Sequence, residues 1–375
     1  MRIAFLDSWI QSSAEGSGTA VGINGLVAAL GARGHSVSRV APGRLRSGSL
    51  TLGRLLFNLR LRASWHAQAY DLVVGTDIDG VFWSSRRGDA PYVVAIKGVI
   101  AEEMQHEQGW TRRLFQVLAR LEARNARHAD LVLADSVYCR NAIVRHYGIL
   151  PERIRLVPEG IDLARWQRVA TETPYQSDGS TILCVARQYP RKHVADLLQA
   201  LPLVRRAVPS AHAVIVGDGP EHASLRALAA GLGLGPAVRF LGAIADDDEV
   251  ARWYRRADVF CLPSVQEAFG IVFLEAMASG LPVVATQAAA IPEVVPHQQA
   301  GLLVPPGDVG ALAVALTTLL LEPERRAAYG AYGKEHVQQY GWDLVAEKFL
   351  AEVTPISAVR QSPPPPAGSR GDRLA

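Results

Sequence analysis

Residues 264–280 read Ser-Val-Gln-Glu-Ala-Phe-Gly-Ile-Val-Phe-Leu-Glu-Ala-Met-Ala-Ser-Gly. Short apolar runs at 258–263 and 281–286 flank this stretch. Each run is rich in β-branched or aromatic residues and is bounded by proline or glycine, which is typical of buried parallel strands. The pattern predicts a strand, a loop, a helix and a second strand. The helix is expected to begin near Gly270 and to end at Gly280, because glycine readily takes the left-handed conformation that closes a helix.

The same stretch carries two glutamates with seven residues between them. Glu267 falls in the loop, and Glu275 lies about a turn and a half into the helix. Ligands of open parallel sheets bind beyond the carboxyl ends of the strands, where a helix N-terminus offers free N–H groups to a phosphate. Phe269, Gly270 and Ile271 would let the backbone approach a donor molecule. Glu267 would then reach its hydroxyl groups and Glu275 a ribose diol. An N-capping glutamate followed by a surface glutamate fits this spacing equally well.

Runs of the same strand type recur along the whole chain and alternate with helical patterns, as in α/β proteins with parallel sheets. They fall at 3–6, 37–40, 72–75, 92–96, 131–134, 154–157, 182–186, 213–217, 238–241, 259–262, 283–285 and 302–304. The first six and the last six form two groups. The predicted fold is therefore α/β, with two Rossmann-like parallel-sheet domains facing a cleft, and such a cleft suits a ligand with two parts.

The predicted domain limits follow from the polar segment 168–180, which is interpreted as a linker. An N-terminal domain is expected at 1–167 and a C-terminal domain at 181–341. An amphipathic helix is predicted at 342–353. The proline-rich tail at 354–375 is expected to be disordered.

Composition narrows the class of protein. Of the 375 residues, 49% are hydrophobic and 20% are charged, as in globular domains with cores of their own. No apolar run approaches the roughly 18 residues needed to cross a bilayer, and Asp7 follows the first strand too early for a signal peptide. The expected location is cytoplasmic. Cys139, Cys184 and Cys261 lack paired or metal-like spacing and are interpreted as reduced packing residues.

The N-terminal half contains a basic stretch. No acidic residue occurs from Gly16 to Tyr70, while seven arginines accumulate among leucines. Such a segment can lie on an anionic inner membrane surface or hold a phosphorylated acceptor, and it is also typical of a solvated helix pair. The predicted helix at 111–128 adds a stripe of arginines that allows the same interpretations. Neither region interleaves aromatic residues with its charges, which argues against a nucleic-acid partner.

Two cations follow the first strand of the second domain. Arg187 and Lys192 are five residues apart, in a loop that also contains Pro190. At the carboxyl end of that strand, both would face the same cleft as Glu267. A guanidinium fork and an ammonium point charge together suit the oxygens of a diphosphate. A salt-bridge cluster at a helix start is the alternative interpretation.

The order of residue types in the opening stretch resembles the signature of the retaining, nucleotide-sugar-dependent glycosyltransferases of family 4, which have the GT-B fold. The matching residues are Glu267, Phe269, Gly270, Glu275, Ala276, Met277, Gly280 and Pro282. The resemblance covers roughly the last half of the chain and shorter N-terminal landmarks. It implies that a sugar moves from a UDP- or GDP-sugar donor to a hydroxyl of a glycan, lipid or small-molecule acceptor, with no metal and no cofactor. It also implies that the helix at 342–353 crosses back onto the first domain.

The resemblance implies roles for further residues. Arg187 and Lys192 would stabilise the departing diphosphate, and such electrostatic stabilisation is often the largest contribution to catalysis. The glycine-rich loop with Gly16 and Gly18 would approach the phosphate or the transferred sugar. The residues expected to flank the nucleotide are Gly217, Gly219 and Glu293.

One position departs from the family. Many members end the fourth strand of the first domain with a histidine that faces the reaction centre, whereas this chain has Lys97. The lysine would bind an anionic group of the acceptor or the transferred sugar. Asp79, Glu103 and His106 follow the ends of neighbouring strands and are predicted to line the acceptor side. A position on the protein surface suits His106 equally well.

Three other classes of protein fit parts of this pattern. A non-hydrolysing sugar-nucleotide epimerase has a similar two-domain build and would interconvert nucleotide sugars without an acceptor. A nicotinamide oxidoreductase would need a complete Gly-x-Gly-x-x-Gly sequence, and Gly16 and Gly18 supply only part of it. A non-catalytic sugar-nucleotide-binding protein is the third class, because Lys97 stands where the histidine is expected.

Overall fold

Two parallel β-sheets organise the chain. A computed structural model describes residues 1–9, 18–42, 50–67, 69–176 and 178–361. In this part of the chain each sheet has six strands, with helices between them. All the pairings between these strands are parallel. The predicted α/β fold with two Rossmann-like domains is confirmed.

The strand order places the sites at which ligands can bind. The strands are β1 (Arg2–Leu6), β2 (Ser36–Val40), β3 (Leu72–Thr76), β4 (Tyr92–Ile96), β5 (Leu131–Ala134), β6 (Ile154–Leu156), β7 (Thr181–Val185), β8 (His212–Val216), β9 (Val238–Gly242), β10 (Val259–Leu262), β11 (Val283–Thr286) and β12 (Gly301–Val304). Their orders are β2-β1-β3-β4-β5-β6 and β12-β11-β10-β7-β8-β9. The winding direction reverses between β1 and β3 and between β7 and β10. Open α/β sheets bind ligands at such reversals, outside the carboxyl ends of the strands.

Helices cover both sheets. They are α1 (Gly18–Ala32), α2 (Leu50–Ser64), α3 (Ile100–Glu103), α4 (Gly109–His128), α5 (Val137–Tyr147), α6 (Leu163–Glu172), α7 (Val194–Ala207), α8 (His222–Gly231), α9 (Asp247–Arg255), α10 (Ile271–Ser279), α11 (Ile291–Val294), α12 (Val309–Leu321), α13 (Pro323–His336) and α14 (Trp342–Gln361). Strands β3, β4, β10 and β11 are buried along their whole length. Burial on both faces explains why their sequences are continuous apolar runs without a polar alternation.

The last helix packs on the first sheet, although it follows the second sheet in sequence. The rings of Phe349 in α14 and Phe5 in β1 stack with their centroids 6.3 Å apart. The indole of Trp342 lies against two glycines, because a Cβ on either Gly25 or Gly160 would collide with it. Helix α14 therefore belongs to the core of the first domain.

Helix α14 is longer than the sequence predicted. It runs to Gln361, so residues 354–361, which were expected to be disordered, are helical. The apolar face continues beyond Val353 to Ile356, which packs on the first domain. Pro355 lies on the exposed side, where water can replace the hydrogen bond that proline removes. Residues 362–375 lie outside the described residues.

The crossing between the domains lies earlier than the predicted linker at 168–180. Helix α6 includes residues 163–172, because Asp162 caps its start and Trp166 and Val169 are buried in the core of the second domain. The polar residues of this helix face solvent, and they gave the segment the composition of a linker.

The chain crosses between the domains twice, and the two crossings lie side by side. Ile161 and Gly341 form a parallel β-bridge. The N–H of Ile161 donates to the carbonyl oxygen of Tyr340 at 2.9 Å. The segments that lead into and out of the second domain are thus hydrogen-bonded to each other.

Composition also led to expectations about the cysteines and about membrane-spanning helices. The three cysteines are buried and unpaired, as packing residues are. Within the described residues, no helix combines the length and the apolarity needed to cross a bilayer.

Candidate active site

The reversal point of the second sheet brings together Lys192, which follows β7, and Glu267, which follows β10. The Nζ of Lys192 donates to Oε1 of Glu267 at 2.6 Å. Both side chains are shielded from solvent, with 15% and 9% of their surfaces exposed. Two residues that the sequence placed in one cleft are therefore in direct contact.

Hydrogen bonds between neighbouring loops fix the position of this pair. The carbonyl oxygen of Arg191 accepts from the hydroxyl of Ser264 at 3.0 Å and from the N–H of Val265 at 2.9 Å. The hydroxyl of Thr286, at the end of β11, donates to the carbonyl oxygen of Ser264. The loop that carries Glu267 is thus tied to the loop after β7 on one side and to β11 on the other.

Gly270 lets this loop turn into helix α10. Its φ is 94°, and a Cβ there would lie 2.6 Å from the ring of Phe273, so a larger residue would be both strained and crowded. Helix α10 begins at Ile271, whose Cδ1 lies 3.6 Å from the position of a Cβ on Gly18, the first residue of α1. The N-termini of α1 and α10 therefore meet across the cleft. Each of these helix ends carries a partial positive charge.

The glycines after β8 allow two loops to pack closely. Gly217 has a φ of 116°, and a Cβ on it would collide with the carbonyl oxygen of Ala186. A Cβ on Gly219 would lie 2.7 Å from the backbone of Gln188. The side-chain amide of Gln188 also donates to the carbonyl oxygen of Gly217 at 2.8 Å. The expected contact of Gly217 and Gly219 with a nucleotide stays a prediction.

Arg187 lies in the same loop, at the solvent-exposed side. Its Nη2 is 3.4 Å from the hydroxyl of Tyr189, and its guanidinium carbon is 5.6 Å from the centre of that ring. Its diphosphate role stays a prediction.

Phe269 and Glu275 have defined partners in the second domain. The ring of Phe269 is buried and makes an edge contact with Tyr340, with ring centroids 5.6 Å apart, so only the backbone of Phe269 is left for the expected donor contact. Glu275 accepts a hydrogen bond from the hydroxyl of Tyr254 at 2.8 Å. Burial raises the pKa of Glu275, and the hydrogen bond from Tyr254 opposes that rise. The ribose contact of Glu275 and the donor contact of Ile271 stay predictions.

Glu293 contacts the first domain. Its Oε2 accepts from the N–H of Val137 at 2.7 Å, and its Oε1 accepts from the N–H of Tyr138 at 2.8 Å. These N–H groups belong to the first turn of α5 and have no acceptor within the helix. The structure gives this acid a contact between the domains, where the sequence predicted a contact with the nucleotide.

Lys97 lies at the end of β4, as predicted, but its charge is already neutralised. Its Nζ is 2.8 Å from Oε1 of Glu159 and 3.2 Å from Oδ1 of Asp135. Burial lowers the pKa of Lys97, but the two carboxylates outweigh burial and raise the pKa above its ordinary value. Two carboxylates around one ammonium disfavour the anionic acceptor group that Lys97 was predicted to bind.

Asp79 belongs to the interior of the first domain. It accepts from the N–H and the hydroxyl of Ser8, at 2.8 and 2.6 Å, and from the side-chain amide of Asn58 at 3.2 Å. Burial raises the pKa of Asp79 to about 6, although Arg54 lowers it in part. The side chain is fully buried. The prediction that it lines the acceptor side is therefore wrong, because its oxygens are used by these internal partners.

Glu103 and His106 face the second domain. Oε1 of Glu103 accepts from Nη2 of Arg191 at 3.3 Å, which joins the first domain to the loop that carries Lys192. Burial and then the charge of Arg191 lower the pKa of His106, which favours the neutral form of its imidazole. The segment that contains both residues lies where the acceptor side was predicted, and their contact with an acceptor stays a prediction.

The described part of the chain shows no group of three His, Cys, Asp or Glu side chains placed to hold a metal ion. The acidic run at the start of α9 has other partners: Asp246 caps the helix, and Asp248 pairs with Arg168 at 2.6 Å. The expected phosphate contact of Gly16 lies outside the described residues.

Sequence reasoning missed the residues that surround Lys97 and connect the domains. Asp135 and Ser136 follow β5 directly, and Glu159 follows β6 after a short turn. A survey of the polar residues after each strand would have found them, because the carboxyl ends of parallel strands share one edge of the sheet. No pattern in the sequence distinguished Arg191 from its neighbour Lys192 as a contact between the domains.

The sequence matches two family profiles. Residues 16–165 match the family described as Glycosyltransferase Family 4, and residues 170–336 match the family described as Glycosyl transferases group 1. A similar protein is the GDP-mannose-dependent alpha-(1-6)-phosphatidylinositol monomannoside mannosyltransferase of Mycobacterium tuberculosis (strain CDC 1551 / Oshkosh). It is 35% identical over 264 residues, which are 67% of this chain and 68% of that protein.

Solved structures share the fold. Sucrose-phosphate synthase from Thermosynechococcus elongatus has a TM-score of 0.80 over 96% of this chain and 99% of that chain, at 23% identity. Anabaena HepE in complex with UDP has a TM-score of 0.70 over 95% of this chain and 100% of that chain, at 22% identity. These likenesses establish the GT-B fold, and the sequence relatives establish the family. The chain belongs to family 4 of the glycosyltransferases and is a nucleotide-sugar-dependent glycosyltransferase.

Proposed function

We propose that this enzyme transfers a mannosyl group from GDP-mannose to a hydroxyl of an inositol-bearing lipid. We further propose that it retains the anomeric configuration and uses no metal ion or other cofactor. The observation that carries the proposal is the contact between Lys192 and Glu267, four residues before the start of α10 and its meeting with α1. The donor and the acceptor are those in the name of the M. tuberculosis relative.

Positive charge is concentrated where a leaving diphosphate would lie. Lys192 has three N–H donors, and Glu267 needs only one of them, so the others can bind phosphate oxygens. Arg187 can add a guanidinium fork from the same loop. The N-termini of α1 and α10 each contribute the equivalent of roughly half an elementary charge. These groups can stabilise the charge that develops on the diphosphate in the transition state, which is why no metal ion is included in the proposal.

Glu267 is better suited to hold the sugar than to attack it. Lys192 neutralises its carboxylate, and hydrogen bonds to Ser264 hold the loop in place. Its second oxygen can accept hydrogen bonds from the sugar hydroxyls. A neutralised carboxylate is a poor nucleophile. The acceptor hydroxyl is then the nucleophile. For the proposed retention, its oxygen bonds to the anomeric carbon on the face from which the diphosphate leaves, the bond between that carbon and the phosphate oxygen breaks, and the hydroxyl proton passes to the departing phosphate oxygen.

The acceptor lies beside the segment at 100–106, next to the place where Glu103 accepts from Arg191. One ring nitrogen of the neutral His106 can accept a hydrogen bond from an acceptor hydroxyl. The carboxyl groups of Asp135 and Glu159, which already occupy Lys97, favour hydroxyl groups over phosphate at that depth. The phosphate of an inositol lipid would therefore point away from Lys97 and out of the cleft.

Helix α2 offers a surface for peripheral contact with a membrane. Leu52, Leu56 and Leu59 are 51%, 40% and 51% exposed, and they share one helix face because they are three or four residues apart. Arg60 and Arg62 are exposed at the end of the same helix. Exposed leucines beside arginines suit an anionic lipid surface, at which a lipid acceptor would be available.

Nucleotide release tests the donor and the acceptor. The full chain would be given GDP-mannose or a panel of UDP-sugars, with and without vesicles that contain phosphatidylinositol or its monomannoside, in buffer with EDTA. We expect GDP release that requires both GDP-mannose and the inositol lipid and that EDTA does not change. Activity with UDP-sugars but not with GDP-mannose would contradict the proposed donor. Loss of activity in EDTA would contradict the proposed independence from metal ions. Conversion of the nucleotide sugar without any acceptor would indicate an epimerase.

Product configuration and vesicle binding test the remaining parts. Nuclear magnetic resonance of the product should show an α-mannoside, and a β-mannoside would overturn retention. Leu56→Gln should weaken cosedimentation with anionic vesicles. Leu203→Gln, at a leucine of α7 in the other domain that is 38% exposed, should not. Equal binding of both variants would remove α2 from the proposal.

A further inference from the structure

The first domain contacts the loop of Glu267 through the N-terminus of α5. The hydroxyl of Ser136 donates to the carbonyl oxygen of Ala268 at 2.7 Å, and the first two amides of α5 donate to Glu293. Ala268 is the next residue after Glu267. The carbonyl oxygen of Glu267 in turn accepts from the N–H of Ala290 at 3.2 Å, just before the helix that carries Glu293. One helix end of the first domain thus contacts both sides of the proposed sugar-binding loop.

We propose that Ser136 and Glu293 are positioning residues, which complete the sugar-binding site only when the two domains are closed. This inference rests on the proposed role of Glu267. Opening the cleft would break the hydrogen bonds of Ser136 and Glu293 together and would release Ala268, the neighbour of Glu267. Closure of the two domains would therefore align the donor sugar. The sugar is then aligned in the same state in which the acceptor is in place and water is excluded.

The bonding pattern differs from ordinary helix capping. The hydroxyl of Ser136 accepts from the N–H of Cys139 at 3.1 Å, so α5 already has its N-cap within the first domain. The other amides of a helix N-terminus can be satisfied by water. The two charge-assisted hydrogen bonds of Glu293 are therefore needed for neither domain alone, and they serve the contact between the domains.

Substitution of Ser136 separates capping from the contact between the domains. Aspartate caps helices about as well as serine, but its carboxylate cannot donate a hydrogen bond to the carbonyl oxygen of Ala268. Threonine keeps both functions. We expect Ser136→Thr to transfer sugar at close to the wild-type rate. Ser136→Asp should lower kcat by about tenfold, the factor that corresponds to one lost hydrogen bond, without loss of folding.

Substitution of Glu293 separates positioning from nucleotide binding. Glu293→Gln keeps the size of the side chain but turns one acceptor oxygen into an NH₂ group that faces an N–H donor. We expect kcat to fall by about 10- to 100-fold, the range for a hydrogen bond to a charged group, while the Kd of GDP and of UDP stays close to the wild-type value. Hydrogen exchange of the amides at 137–138 should become faster. Asp308→Ala removes a helix cap that lies within the second domain, at α12, and should change neither kcat nor this exchange.

Three results would overturn the inference. The first is wild-type kcat in Glu293→Gln, and the second is an equal loss of kcat in Ser136→Thr and Ser136→Asp. The third is a loss of GDP or UDP affinity in parallel with kcat, which would make Glu293 a nucleotide contact. Failure of the proposed function can be distinguished from failure of this inference. If the wild-type enzyme transfers no sugar, hydrogen exchange at 137–138 with and without GDP or UDP still reports whether Glu293 holds the domains together.

Discussion

Removing Lys192 alone should damage both catalysis and folding. Lys192→Met keeps most of the side-chain volume but removes the ammonium group 2.6 Å from Glu267, whose side chain is only 9% exposed. Breaking a buried ion pair from one side costs about 3–5 kcal/mol of unfolding free energy, because the remaining charge is left without a partner. Both side chains retain some contact with solvent, so we expect a value near the lower end, about 3 kcal/mol.

A second substitution separates the two effects. In Lys192→Met/Glu267→Gln no unpaired charge remains, so the unfolding free energy should return to within about 1 kcal/mol of wild type. Catalysis should not return. Loss of one electrostatic donor at a transition state lowers kcat by about 10²- to 10³-fold, and the double variant also lacks the carboxylate that we propose holds the sugar.

Denaturant unfolding followed by circular dichroism, together with GDP release under saturating donor, measures both quantities. Lys334→Met is a matched control, because Lys334 is an exposed lysine of the same domain, and it should change neither stability nor turnover. If the double variant is as unstable as Lys192→Met, the charge-pairing argument fails. If Lys192→Met keeps wild-type turnover, the catalytic assignment fails.

Two glycines of α1 should respond in opposite directions to alanine. Gly25→Ala should lower the unfolding free energy by about 1–3 kcal/mol, because the new methyl group collides with Trp342. Gly31 has open space around it, so Gly31→Ala should raise the unfolding free energy by about 0.5–1 kcal/mol through helix propensity. Thermal melts in which both variants are shifted in the same direction would contradict this packing. Asp79→Asn should change how stability depends on pH. Because burial raises the folded pKa of Asp79 from 3.8 to about 6, its contribution is fully present below about pH 4 and is lost as the pH rises through about 6, by up to roughly 3 kcal/mol. The unfolding free energy of the variant relative to wild type should therefore rise over this interval, and a constant difference would contradict the assignment.

The parts of the fold that depend on short stretches of sequence were predictable. Strand β10, the turn at Gly270 and the first turn of α10 lie within a few residues of one another, so apolar runs and a glycine were enough to place them. The loops that carry Lys192 and Glu267 follow neighbouring strands of the second sheet. Strand-end reasoning therefore placed both residues in one cleft without any knowledge of their contact.

The pairing of charges could not be predicted from local patterns. Lys97 was interpreted as a free cation because Asp135 and Glu159, which neutralise it, come from later strands. Two arginines of the basic N-terminal stretch, Arg39 and Arg54, likewise have internal partners that the sequence did not reveal. For example, Arg39 pairs with the buried Asp7 instead of facing a membrane. Ion pairs of this kind join residues far apart in sequence, and the partners come together only when the sheet has assembled.

The β-bridge between Ile161 and Gly341 has a topological consequence. Since the chain enters and leaves the second domain at one place, that domain lies between two segments of the first domain, which contains both β1 and α14. We expect the two paired segments to act together as one hinge. Both junctions lie within hydrogen-bonding distance of each other. The second domain can therefore be exchanged as a unit for the equivalent domain of a relative, while β1 and α14 stay in place.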